Sequence, residues 1–119
     1  MRCYDAGNSD SLVLATADQS GGLVLLKSVS LGANIAENTW YRVTMDVAVS
    51  GTNVTVTGKV FQHATPSDPN SAVGAQIGAT LSWSGALPAG VDAAGEVGIV
   101  ASAFSTAVDS SVTNLTIRP

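Results

Sequence analysis

The sequence predicts an all-β domain, an antiparallel two-sheet β-sandwich of about seven strands with no substantial helix. Three observations carry this. Tyr41–Val49 alternates apolar and polar residues over its whole length. A second alternating run, Asn53–Phe61, follows after a short Gly/Asn turn. No apolar set recurs at helical spacing anywhere, while Gly, Pro and β-branched residues are frequent.

The elements follow in order. Ser11–Ala17 (SLVLATA) is a short apolar strand. Leu23–Leu31 alternates, with Leu23, Leu25, Val29 and Leu31 on one side and Ser28 and Ser30 on the other. Tyr41–Val49 sets Tyr41, Val43, Met45, Val47 and Val49 on one face and Arg42, Thr44, Asp46 and Ala48 on the other. A period of two belongs to a half-buried strand, because successive side chains of a strand point to opposite faces. Ser50-Gly51-Thr52-Asn53 turns the chain, and Val54, Val56, Gly58 and Val60 resume the apolar face. Two such runs across a tight Gly turn form a hairpin. On it, Met45 and Val56 are expected to be buried. From His63 to Ala79, Pro66, Pro69 and Gly74 break regular structure, so a long loop is expected. Thr80–Ser84, Val97–Phe104 and Val112–Arg118 are read as the remaining strands, with a Pro88-bearing loop before the last two.

The 119 residues suit one domain, 1–119, able to bury roughly two thirds of its unfolded surface. With 45% hydrophobic and 12% charged residues, the composition is that of a folded chain. The net charge is −4, and the five basic residues are scattered, so no basic patch offers itself to nucleic acid or to an anionic membrane surface. No apolar run approaches the ~20 residues of a membrane-spanning helix, so membrane insertion is not expected. Cys3, the single cysteine, cannot close an internal disulfide. Abundant Thr, Ser, Ala, Gly and Val suggest an extracellular or cell-surface bacterial domain, with its export signal upstream of this chain.

TWYRVTMDVAVSGTNVTVTGKVF resembles the central hairpin of concanavalin A-like, laminin G-like jelly rolls. A Trp opens an alternating strand there, a Gly turn follows, and a second strand returns. GEVGIVASAFSTAVDSSVTNLTI resembles the closing strand pair of the same family. The likeness covers roughly Leu23 to Ile117 and departs in having Thr57 before Gly58 where an Asp often stands. The chain is also short for that fold, so a fragment or minimal version is expected. The resemblance implies a jelly-roll-like sandwich that binds carbohydrate or, in the glucanase branch, cuts it.

Cutting needs two carboxylates ~5 Å apart or somewhat more, which a strand supplies most simply at i and i+2. No two of the nine acidic residues stand at that spacing, so a hydrolase is disfavoured and no catalytic residue is assigned. Trp83 and Trp40 are the rings that could stack on a sugar, although Trp in a small β domain is usually buried. Tyr41 is expected to pin its strand to the core and Trp40 to seal the strand's end. Trp83 shares a face with Leu81, which favours the core for it too. His63 is expected to be a solvated loop residue able to donate a hydrogen bond to a ligand. Asp109 and Asn114 could supply oxygens to Ca²⁺, although a turn in which Asp109 bonds its own backbone is the stronger reading. The expected function is a non-catalytic, glycan-binding module. The alternative is an assembly domain, with a homodimer formed through N-terminal strands bearing Leu12, Leu14, Leu23 and Leu25.

Overall fold

The computed structural model describes residues 2–4, 10–17, 22–36 and 38–86. These form six strands: β1 (Arg2–Tyr4), β2 (Ser11–Ala17), β3 (Leu23–Ser30), β4 (Tyr41–Ser50), β5 (Asn53–His63) and β6 (Val73–Ala86). All described strands pair antiparallel, in two sheets ordered β1-β2-β3 and β4-β5-β6. The described residues contain no helix, and hence none long and apolar enough to cross a membrane. The strands expected at Val97–Phe104 and Val112–Arg118 lie outside the described residues.

The β4–β5 hairpin forms as its alternation demands. Tyr41 pairs with Gln62 and the register runs unbroken to Ser50 opposite Asn53. Gly51 takes the first central position of the turn at φ 61°, and Thr52 keeps a negative φ. That is the pattern of a type II′ turn, whose twist suits the flanking strands.

The second sheet gathers its apolar side chains on one face. Val54, Val56, Gly58 and Val60 of β5 are all buried, and Leu81 of β6 is fully so. Leu12 and Leu14 of β2 and Leu31, just beyond β3, complete the buried cluster, so the core draws on both sheets. The sheets approach closely at Gly78. A Cβ built there would lie 2.5 Å from the Leu31 Cα and 2.9 Å from the Ser30 carbonyl oxygen. Gly78 also has φ 67°, a left-handed conformation that other residues resist.

Several expectations are corrected here. The alternation of Leu23–Leu31 does not hold through the strand. Ser28 pairs with Val13 and Lys27 with Leu14, but Leu25 then pairs with Ala15, leaving Leu26 as an extra residue. One extra residue turns the following side chains to the other face. Leu26 therefore packs on the core, while Leu25 stands exposed. Met45 is not buried either; it stands on the core-side face of β4, which is uncovered among the described residues.

β6 is far longer than the expected Thr80–Ser84. It spends 14 residues where β5 spends 11. Register shifts between Gly58 and Val60, and between Phe61 and His63, absorb the difference. The long loop therefore shrinks to residues 64–72.

Candidate functional site

The expected ligand residues divide between the two ends of the second sheet. Trp40 and His63 come together at one end. The His63 N–H donates to the Trp40 carbonyl at 3.1 Å, and the Trp40 N–H donates to the Pro66 carbonyl at 2.7 Å. Trp40 is thereby stitched between the end of β5 and the loop after it. Its side chain is half-buried. Ahead of it, Asn38 adopts φ 53°, a conformation Asn tolerates better than most residues. Tyr41 fixes the same end by accepting a 3.0 Å hydrogen bond from the Ala36 N–H at its hydroxyl, with its ring against the core.

His63 is not solvated. It is the last residue of β5 and is buried. Its Nδ1 lies 3.4 Å from the Ser71 hydroxyl, a long and weak contact. Ser71 does more for the loop than for the imidazole. Its Oγ accepts from the Thr65 N–H at 3.1 Å and donates toward the Asp68 carbonyl at 2.9 Å. Asp68 Oδ1 accepts from the Asn70 N–H at 2.8 Å, the side-chain-to-backbone bond of an Asx turn. The Ala64 N–H donates to the Ala72 carbonyl at 2.8 Å and closes the base. The loop is thus held by its own polar groups, and Ser67, Asp68 and Asn70 remain exposed on it.

Trp83 stands elsewhere. It pairs with Val56, seven positions along β5 from His63, or about 23 Å at strand rise. Its ring lies against Gly85: a Cβ there would come within 2.9 Å of the indole Cζ2. The absent side chain makes room for the ring, which packs on the core as its pairing with Leu81's face implied. The proposed Ca²⁺ ligands Asp109 and Asn114 lie outside the described residues. Among the described residues, no three His, Cys, Asp or Glu side chains cluster so as to hold a metal ion.

Sequence reasoning did not single out Asp10 or Ser71. Asp10 is buried just before β2, and its Oδ2 accepts a hydrogen bond from the Ile35 N–H. Its Oδ1 is buried without a partner. Its main chain bonds the same loop, accepting from the Leu31 N–H at 2.7 Å. Asp10 thus ties the segment after β3 to the start of β2. Nothing in local pattern distinguishes it from an ordinary turn Asp. Ser71 had a signal in Asp68-Pro69-Asn70-Ser71, a run of turn formers whose side chains bond nearby backbone.

Comparison with protein-family models, with characterised proteins and with solved structures returns no match.

Proposed function

We propose that this chain is a non-catalytic glycan-binding module of a secreted or surface protein, built as a jelly-roll-like sandwich of the concanavalin A-like kind. The observation that carries the reading is the setting of Trp40. A half-buried indole, anchored through its own backbone on both sides, stands beside an ordered loop exposing Ser67, Asp68 and Asn70. An aromatic face suits the C–H face of a pyranose, and neighbouring amide, carboxylate and hydroxyl groups suit its hydroxyls. His63 belongs to this site as a support beneath the loop, and Trp83 belongs to the core. The non-catalytic reading is supported by the described acids, which stand on separate elements: Asp10 before β2, Asp46 on β4 and Asp68 in the loop. No Ca²⁺ is required by it.

Affinity electrophoresis through a panel of polysaccharides tests the proposal. Retardation on at least one is expected, and Trp40→Ala should abolish it while leaving the far-UV spectrum unchanged. Free migration through every polysaccharide overturns it.

A second reading, self-assembly through the N-terminal strands, has one observation in its favour: Val24 and Leu25, consecutive on β3 and so on its opposite faces, both stand exposed. Leu12 and Leu14, which entered the original expectation, are committed to the core instead. Light scattering across a concentration series separates the two readings, since only assembly predicts a mass that rises to the dimer.

A further inference from the structure

The outer face of the second sheet carries a cluster that the core does not claim. Tyr41 and Val60 pack into the core, so their chain neighbours Trp40, Arg42, Lys59 and Phe61 point the other way. Arg42 pairs with Phe61, and Phe61 pairs in turn with Gln76 on β6. Lys59 pairs with Thr44 and so lies on the diagonal from Arg42. Diagonal neighbours stand about 7–8 Å apart, within reach of long side chains. Trp40 precedes Arg42 by two positions on the same face, about 7 Å along the chain. Phe61 is half-buried, yet it is not one of the side chains packed against the core. Two rings and two cations thus meet at one end of this face.

The cations have no evident structural use there. The chain holds only five basic residues and a net charge of −4, yet the hairpin brings two of the five together. Like charges side by side on a ladder repel. Among the described residues neither Arg42 nor Lys59 makes an ion pair, although Asp46 lies on the other diagonal of Lys59. We infer that Arg42, Lys59 and Phe61 form a subsite for an acidic sugar, one bearing a carboxylate or sulfate; the inference rests on the glycan-binding reading and names the class of glycan. A guanidinium fork matches either anion through two parallel hydrogen bonds, and Lys59 adds a second charge. Phe61 offers its ring to the sugar's C–H face, and Trp40 takes the next sugar of the chain. A nucleic acid fits less well, because its affinity is built from many phosphate contacts and these cations are two.

Four immobilised polysaccharides test the subsite: pectate, fully methyl-esterified pectin, dextran sulfate and dextran. Within each pair the sugar is the same and the charge differs. Retention is expected on pectate or dextran sulfate, which names the anion, and the neutral partner should bind at least about tenfold more weakly. Arg42→Gln and Lys59→Gln should each cost about tenfold in affinity, the loss of one charge-assisted hydrogen bond, with an unchanged far-UV spectrum. Phe61→Leu keeps an apolar side chain, removes the ring and should also weaken retention. Equal binding to a charged polymer and its neutral partner, or binding indifferent to both Gln substitutions, would overturn the inference. Retention on dextran sulfate that survives Trp40→Ala would mark adsorption to a polyanion and overturn it too. Retention on none of the four overturns it as well, while the glycan-binding reading stands if any other polysaccharide is bound in a Trp40-dependent way.

Discussion

Gly78 offers a direct measure of how tightly the two sheets meet. Gly78→Ala introduces a methyl group 2.5 Å from the Leu31 Cα and 2.9 Å from the Ser30 oxygen. Carbon atoms sit comfortably at about 3.5–4.0 Å, so the backbone of one sheet must retreat by roughly 1 Å or more. Overpacking of that kind costs about 1–3 kcal/mol. The positive φ adds about 1–2 kcal/mol for any residue with a Cβ. Gly51 provides the control. It has a similar φ, 61° against 67°, but nothing lies within 4 Å of its hypothetical Cβ. Gly51→Ala therefore carries the conformational cost alone. Both substitutions also stiffen the unfolded chain by the same amount, and that effect cancels in the difference. Urea unfolding of the two variants should place Gly78→Ala below Gly51→Ala by about 1–3 kcal/mol, with equal m-values. Equal midpoints for the two variants would show that β6 and the Ser30–Leu31 backbone are not in contact in solution.

Further outcomes follow from burial and bonding. Val56→Asp sets an unpaired carboxylate into the core cluster, costs several kcal/mol and should abolish the cooperative thermal transition seen by circular dichroism. Leu12→Lys, at a fully buried position, should unfold the chain rather than dissociate a dimer, a distinction that light scattering and circular dichroism together resolve. Asp10→Ala removes the acceptor of the Ile35 N–H and should lower stability by about 1–3 kcal/mol in urea unfolding. A chelator should leave the melting temperature unmoved; a fall of many degrees that Asp109→Ala abolishes would establish bound Ca²⁺ there, since a ligand specific to the native state stabilises it.

Much of the second sheet was legible because its hairpin is regular. Period-two alternation over β4 and β5 needs no knowledge of the rest of the chain, and Gly51 announces its own turn. The face was read correctly, but its burial was not. Alternation marks which side chains share a face, whereas cover depends on which other strand lies above, and that is a long-range matter. Met45 and Val56 share the face but differ in cover. β3 and β6 were read less well for a local reason: both are bulged. Leu26 inverts the phase of β3, and small residues such as Gly74, Ala75, Gly78 and Ala79 hide β6 from any hydrophobic pattern. Gly74 belongs in the strand by close approach, since a Cβ there would meet the Gln62 carbonyl oxygen at 2.7 Å. The site was half legible. Trp40 was identified by residue type, but its union with the 64–72 loop depends on main-chain bonds that no side-chain pattern records. His63 was misread because the prolines after it suggest that the strand has already ended, whereas it closes the strand's last pair with Val73.

The central claim is that Trp40 and its loop receive a glycan. A nitrogen-15 NMR titration with an oligosaccharide of the retained polysaccharide tests it residue by residue. The Trp40 indole N–H and the amides of residues 64–72 should shift together and saturate, while the core-packed Trp83 indole stays fixed. Shifts that gather at Trp83, or a spectrum unmoved by oligosaccharides from every polysaccharide tried, would contradict the account.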